Sequence, residues 1–114
     1  MRTLDDIALQ SKDRAAIGEA VLILRDQFPV QRIVLFGSKC RGDDDPESDI
    51  DLLVLTTRAL SRTERHAIVD ALFPIQLQHD VVLSPLIVAA KEWDGGVISV
   101  LPIHDELEEQ GAAA

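Results

Sequence analysis

A chain of 114 residues with 46% hydrophobic side chains has the size of one ordinary domain, 1–114, and enough apolar material for a core, so disorder is excluded. The formal charge of −9 argues against direct nucleic-acid binding, which calls for a basic patch; it favours a basic protein partner or an anionic substrate arriving with its own metal. The one cysteine, Cys40, rules out an intrachain disulfide and suits a reducing compartment. No run reaches the ~18 apolar residues of a membrane span, and MRTLDDIALQ lacks a signal peptide's apolar centre. The expectation is a soluble cytoplasmic protein without membrane contact.

Ile17, Val21 and Leu24, joined by Ala16 and Ala20, recur with helical spacing and predict a helix over residues 12–27, closed by Pro29. A strand is expected at 30–36, VQRIVLF, with Ile33–Phe36 as its buried run. Gly37 and Ser38 follow, and Ser38 is suited to cap a short helix through Cys40 and Arg41. Gly42 opens the acidic, turn-rich loop GDDDPES, and a second strand fills 49–55.

Ser61 and Glu64 match the capping-box pattern for a helix from Ser61 to Leu72, with Pro74 as its stop. Leu77, Gln78, His79, Asp80 and Val81 alternate, which predicts a third strand at about 77–83, continuing into PLIVAA after a break at Pro85. Gly95-Gly96 reads as a flexible joint before a last helix in PIHDELEEQ, with Pro102 in its first turn and Gly111 just past its end. The terminal alanines are the only low-complexity tract. The order of elements gives an α+β fold, a small mixed sheet with helices on one side.

The chemistry concentrates in residues 34–55, VLFGSKCRGDDDPESDIDLLVL. Asp49 and Asp51 interrupt an apolar strand, where carboxylates are disfavoured, and their i, i+2 spacing puts them on one face. Two unit charges roughly 6.5–7 Å apart repel by about 2.5 kcal/mol at an effective dielectric near 20. A cation between them relieves that cost, and Mg²⁺ prefers such oxygen ligands. The alternative is a solvated edge strand with incidental acids.

If the 77–83 strand neighbours 49–55, Asp80 joins the same face as a third ligand, as a general base, or as both. Two metals held by three carboxylates suit phosphoryl or nucleotidyl transfer. Gly37 lets backbone approach a phosphate closely, and Ser38 adds a hydroxyl at a helix start. Arg41 either contacts phosphate or pairs with Asp43–Asp45. Lys39 is expected to be exposed, Cys40 to pack as a small apolar group, and His79 to be structural.

GSKCRGDDDPESDIDLLV resembles the signature of the polymerase-β-type nucleotidyltransferases: Gly-Ser, then x-Ala-Arg-Gly, a variable loop and Ser-Asp-Ile-Asp-Leu. Gly37, Ser38, Arg41, Gly42, Ser48, Asp49, Ile50, Asp51 and Leu52 all fall in place, with Cys40 where alanine is usual. The resemblance spans about residues 30–88 and continues to Asp80, where the family places its third carboxylate on a later strand. By length the chain looks like the minimal members, which are little more than the catalytic palm.

The resemblance implies an antitoxin that transfers AMP from ATP to a tyrosine of a partner HEPN ribonuclease toxin. It assigns the triphosphate to Gly37 and Ser38, with Arg41 assisting, and two Mg²⁺ ions to Asp49, Asp51 and Asp80. Two alternatives stay open. One is transfer to an aminoglycoside-like small molecule, for which a homodimer would have to supply the missing acceptor pocket. The other is an antitoxin that acts by binding alone.

Overall fold

The computed structural model describes residues 1–42 and 47–114. The centre of the acidic loop, residues 43–46, lies outside the described residues, and with it the expected turn and any pairing of Arg41 with Asp43–Asp45. In chain order the elements are β1 (Arg2–Thr3), α1 (Ser11–Gln27), β2 (Val30–Phe36), α2 (Ser38–Arg41) and β3 (Ile50–Thr56). They continue with α3 (Arg62–His79), β4 (Leu83–Ala89), α4 (Ala90–Gly95), α5 (Pro102–Gln110) and β5 (Ala112–Ala113). The sheet order is β1-β5-β2-β3-β4. β2 is antiparallel to β3 and β5, whereas β3–β4 and β1–β5 are parallel. This is the expected α+β mixed sheet.

Helices cover both faces of that sheet rather than one. Ile33, Leu35, Ile50, Leu52 and Val54 pack with Ile17 and Leu24 of α1 and Ile68, Leu72 and Ile75 of α3. On the opposite face Val34, Leu53, Leu55 and Val88 meet Trp93 of α4 and Leu107 of α5. Continuous apolar strands such as Leu52–Leu55 have this cause: alternate side chains enter different cores. Each such burial is worth about 1.5–3 kcal/mol. α4 was not expected from sequence. Its Trp93 is buried, and the indole N–H donates to Glu108 Oε1 at 2.8 Å. No helix among the described residues is long and apolar enough to cross a membrane.

Two proline-based expectations fail for one reason. α3 does not stop at Pro74 but runs through it, because the buried stripe Ile68–Leu72–Ile75 continues across the proline. Pro74 lies on the exposed side, where water can satisfy the carbonyl that its ring leaves unpaired. β4 likewise continues through Pro85, opposite Leu52. It is the edge strand, and the Ile50 amide donates to the Val82 carbonyl at 2.8 Å, a ladder phase that turns the nitrogen of Pro85 outward, so no rung is lost.

The expected strand at 77–83 is also corrected. Leu77–His79 form the last turn of α3, and Asp80 is its C-cap at φ 53 in the left-handed region. The Val81 amide closes the turn onto the Gln76 carbonyl at 3.2 Å. Five alternating residues are too few to distinguish a strand from a helix end. The terminal alanines are no tail either. β5 inserts between β1 and β2, with Ala112 fully buried and the Ala114 amide bonded to the Ile33 carbonyl at 2.9 Å.

Candidate active site

Antiparallel pairing sets the centre of the site. Phe36 at the end of β2 stands opposite Asp51 on β3, so the turn leaving β2 passes beside that carboxylate. Gly37 takes φ 78, a left-handed value, and a Cβ added there would lie 2.2 Å from Asp51 Oδ2. Any other residue would be strained and would collide with the carboxylate. The acid and the Gly-Ser turn are therefore one site, joined by a close approach that only glycine permits.

Gly37, not Ser38, is the N-cap of α2: its carbonyl accepts from the Cys40 and Arg41 amides, both at 3.1 Å. Ser38 is the first helical residue, so the cap falls one position earlier than expected. Asp49 stands exposed just before β3, and Asp51 is half-buried. Burial raises the Asp51 pKa first, the charge of Asp49 adds to the rise, and Arg41 opposes it. Arg41 also reaches Glu106 of α5 at 3.5 Å.

Lys39 is not exposed. Its Nζ lies 2.9 Å from Asp13 Oδ2 of α1, with the two side chains 1% and 2% accessible. This pair ties the short α2 to the long α1. Nothing in the one-dimensional pattern announces it, because Asp13 sits 26 positions away from Lys39 on a helix whose polar residues usually face water. Cys40 is buried as expected, and burial raises its thiol pKa. His79 is structural, 3.0 Å from Glu19 of α1.

The third carboxylate is not where the strand reading would put it. At the cap of α3, Asp80 lines a cavity of about 100 Å³ with Asp13, Glu47, Ser48, Val81 and Val82. β4 begins three residues later, and its residue opposite Asp51 is Ser84. The Ser84 hydroxyl donates to Asp49 Oδ2 at 3.1 Å. Among the described residues, no three His, Cys, Asp or Glu side chains gather around a point that could hold a metal ion. Sequence reasoning missed Ser84 because the misplaced third strand shifted the register that reveals it.

A carboxylate pair at the head of a mixed sheet, laid against a Gly-Ser turn, defines a nucleotidyltransferase palm. The nucleotidyltransferase domain model matches residues 17–102, and the chain belongs to that family. A Methanocaldococcus jannaschii protein named "putative protein adenylyltransferase" is 38% identical over 65 residues, 57% of this chain and 64% of that protein. A second from the same organism, with the same description, is 53% identical over 32 residues, 28% of this chain and 32% of that protein. The chain thus spans less than two thirds of these relatives.

Among solved structures, a toxin–antitoxin complex with AMP-PNP superposes at a TM-score of 0.60 and 22% identity, over 84% of this chain and 69% of that one. A complex of tri-AMPylated Shewanella oneidensis HEPN toxin with MNT antitoxin gives 0.54 and 20%, over 88% and 69%. At such identities these matches speak for the fold.

Proposed function

We propose that the chain is a Mg²⁺-dependent protein adenylyltransferase that neutralises a partner HEPN-type toxin by transferring AMP from ATP to one of its tyrosines. The observation that carries this reading is the apposition of Asp51 to Gly37, which gives the acid pair and the phosphate turn a single address. The adenylyltransferase names of the relatives and the AMP-modified toxin in a neighbouring complex support the choice of reaction and acceptor.

The residues suit a metal. Asp49 and Asp51 offer only oxygen donors, and the raised Asp51 pKa reflects burial and crowding that a cation would relieve. Bound there, Mg²⁺ would neutralise charge on the triphosphate and on the departing pyrophosphate. The chain's own groups bind and orient: Gly37 admits the phosphates close to backbone, Ser38 supplies a hydroxyl, and Arg41 supplies a charged donor. The tyrosine oxygen attacks the α-phosphorus and gives up its proton to water, while the bond from the α-phosphorus to the oxygen bridging to the β-phosphate breaks and pyrophosphate leaves. Asp80 caps α3 and lines the cavity beside Glu47 and Ser48, and its expected part as third ligand or base belongs to this proposal from that position, to be read from Asp80→Asn by transfer of label from α-labelled ATP.

Intact mass of a HEPN-type partner co-expressed with this chain is expected to rise by whole AMP increments. A partner recovered with unmodified mass, under conditions where the chain is folded and ATP is present, overturns the reading. Within the same site, Gly37→Ala is expected to weaken AMP-PNP binding at least tenfold. Strain at positive φ costs about 1–3 kcal/mol, and the new methyl displaces the Asp51 carboxylate. Titration calorimetry reads this directly, and unchanged affinity would separate the turn from nucleotide binding.

A further inference from the structure

The family's pattern leads one to look for a third acid on the strand next to Asp49 and Asp51. β4 is that strand, and its sequence, Leu83–Ala89, contains no ionisable side chain. In parallel register with β3 it sets Ser84 opposite Asp51, so both side chains fall on one face. The hydroxyl reaches past Asp51 to Asp49, donating to Oδ2 at 3.1 Å.

Asp49 needs such a partner. It precedes the first rung of β3 and is exposed, so its neighbours do not pack it into one orientation. The terminal torsion of an aspartate is broad and roughly two-fold, and an unsupported carboxylate samples many planes. A donor on one oxygen selects one plane. Ser84 is itself held, because β4 pairs with β3 from Leu83 to Ala89.

We infer that Ser84 is a positioning residue for Asp49, so that β4 contributes a hydroxyl, not a carboxylate, to the metal-binding face of this chain. The inference rests on the assignment of Asp49 and Asp51 to metal, and deepens it. Partners that orient a metal ligand typically contribute 10- to 100-fold in metal affinity. Ser84 acts through Asp49 alone, at an accessible site, which favours the lower end of that range.

The test uses the purified chain with Mn²⁺ and AMP-PNP, following Mn²⁺ binding by electron paramagnetic resonance. Ser84→Ala is expected to weaken Mn²⁺ binding about tenfold with no change in melting temperature. Ser84→Thr, which keeps the hydroxyl, should return affinity to within about twofold of the parent. If Ser84→Ala binds Mn²⁺ like the parent while Asp49→Asn with Asp51→Asn does not bind, the role of Ser84 is overturned and the metal assignment stands. If the double asparagine variant also binds normally, the metal assignment falls and the inference falls with it. Failure of threonine to restore affinity would reduce Ser84 to a packing role.

Discussion

Asp49→Asn combined with Asp51→Asn is expected to reduce adenylyl transfer to the partner by about three orders of magnitude or more. That is the scale of the several kcal/mol a catalytic metal supplies. The variant should nevertheless fold. Asp51 has a raised pKa in the native state, caused first by burial and then by Asp49. A carboxylate whose folded pKa exceeds its unfolded value opposes folding as pH rises through that interval, and it still does so at neutral pH. Removing both charges therefore relieves the native state. The double variant is expected to melt no lower than the parent, so lost activity cannot be ascribed to unfolding. Transfer of label from α-labelled ATP, read beside a thermal melt, gives both quantities. Undiminished labelling would sink the assignment of these acids to catalysis.

The second large effect is one of stability. Lys39→Met removes the cation from a buried pair and leaves Asp13 charged at 2% accessibility. Breaking such a pair from one side costs about 3–5 kcal/mol. That is a large share of the roughly 5–15 kcal/mol that holds an ordinary domain together. Adding Asp13→Leu should recover most of the loss, because two apolar side chains of similar volume replace a buried pair at little net cost. Urea denaturation of the two single variants and the double variant closes the cycle. If Lys39→Met alone were neutral, the pair would not be what joins α1 to α2.

These two sites differ in how far the sequence discloses them. Asp49, Asp51, Gly37 and Ser38 were legible because their chemistry is local: acids in an apolar strand, and a glycine where backbone must come close. The helix over residues 12–27 and the strand over 30–36 were legible for a similar reason, since each repeats one period over several residues. Pro74 and Pro85 misled because a proline's cost depends on where its missing N–H would point. That direction is set by tertiary packing. The placement of Asp80 on a strand followed from the same misreading. Once α3 extends to His79, the strand that was to carry Asp80 starts at Leu83, and Ser84 takes the place beside the pair. Lys39 stayed hidden because its partner is distant along the chain.

The insertion of β5 between β1 and β2 has a consequence for the order of assembly. Among the described residues, β1 pairs with the sheet through β5, Ala112–Ala113, alone. Arg2 pairs with Ala112, so β1 joins the sheet only after a loop enclosing most of the described chain has closed, a long-range contact that forms late. Arg2, on that first strand, donates to the carbonyls of Cys40, at 3.2 Å, and Gln110, and so braces the back of the Gly37–Arg41 turn. The Gly37–Arg41 turn is thus braced from behind by β1 and by the last residue of α5. Pairing of β3 with β4 sets Asp51, and Asp49 just before it, in place without that long closure, so the acids are ready before the turn that faces them has its final support.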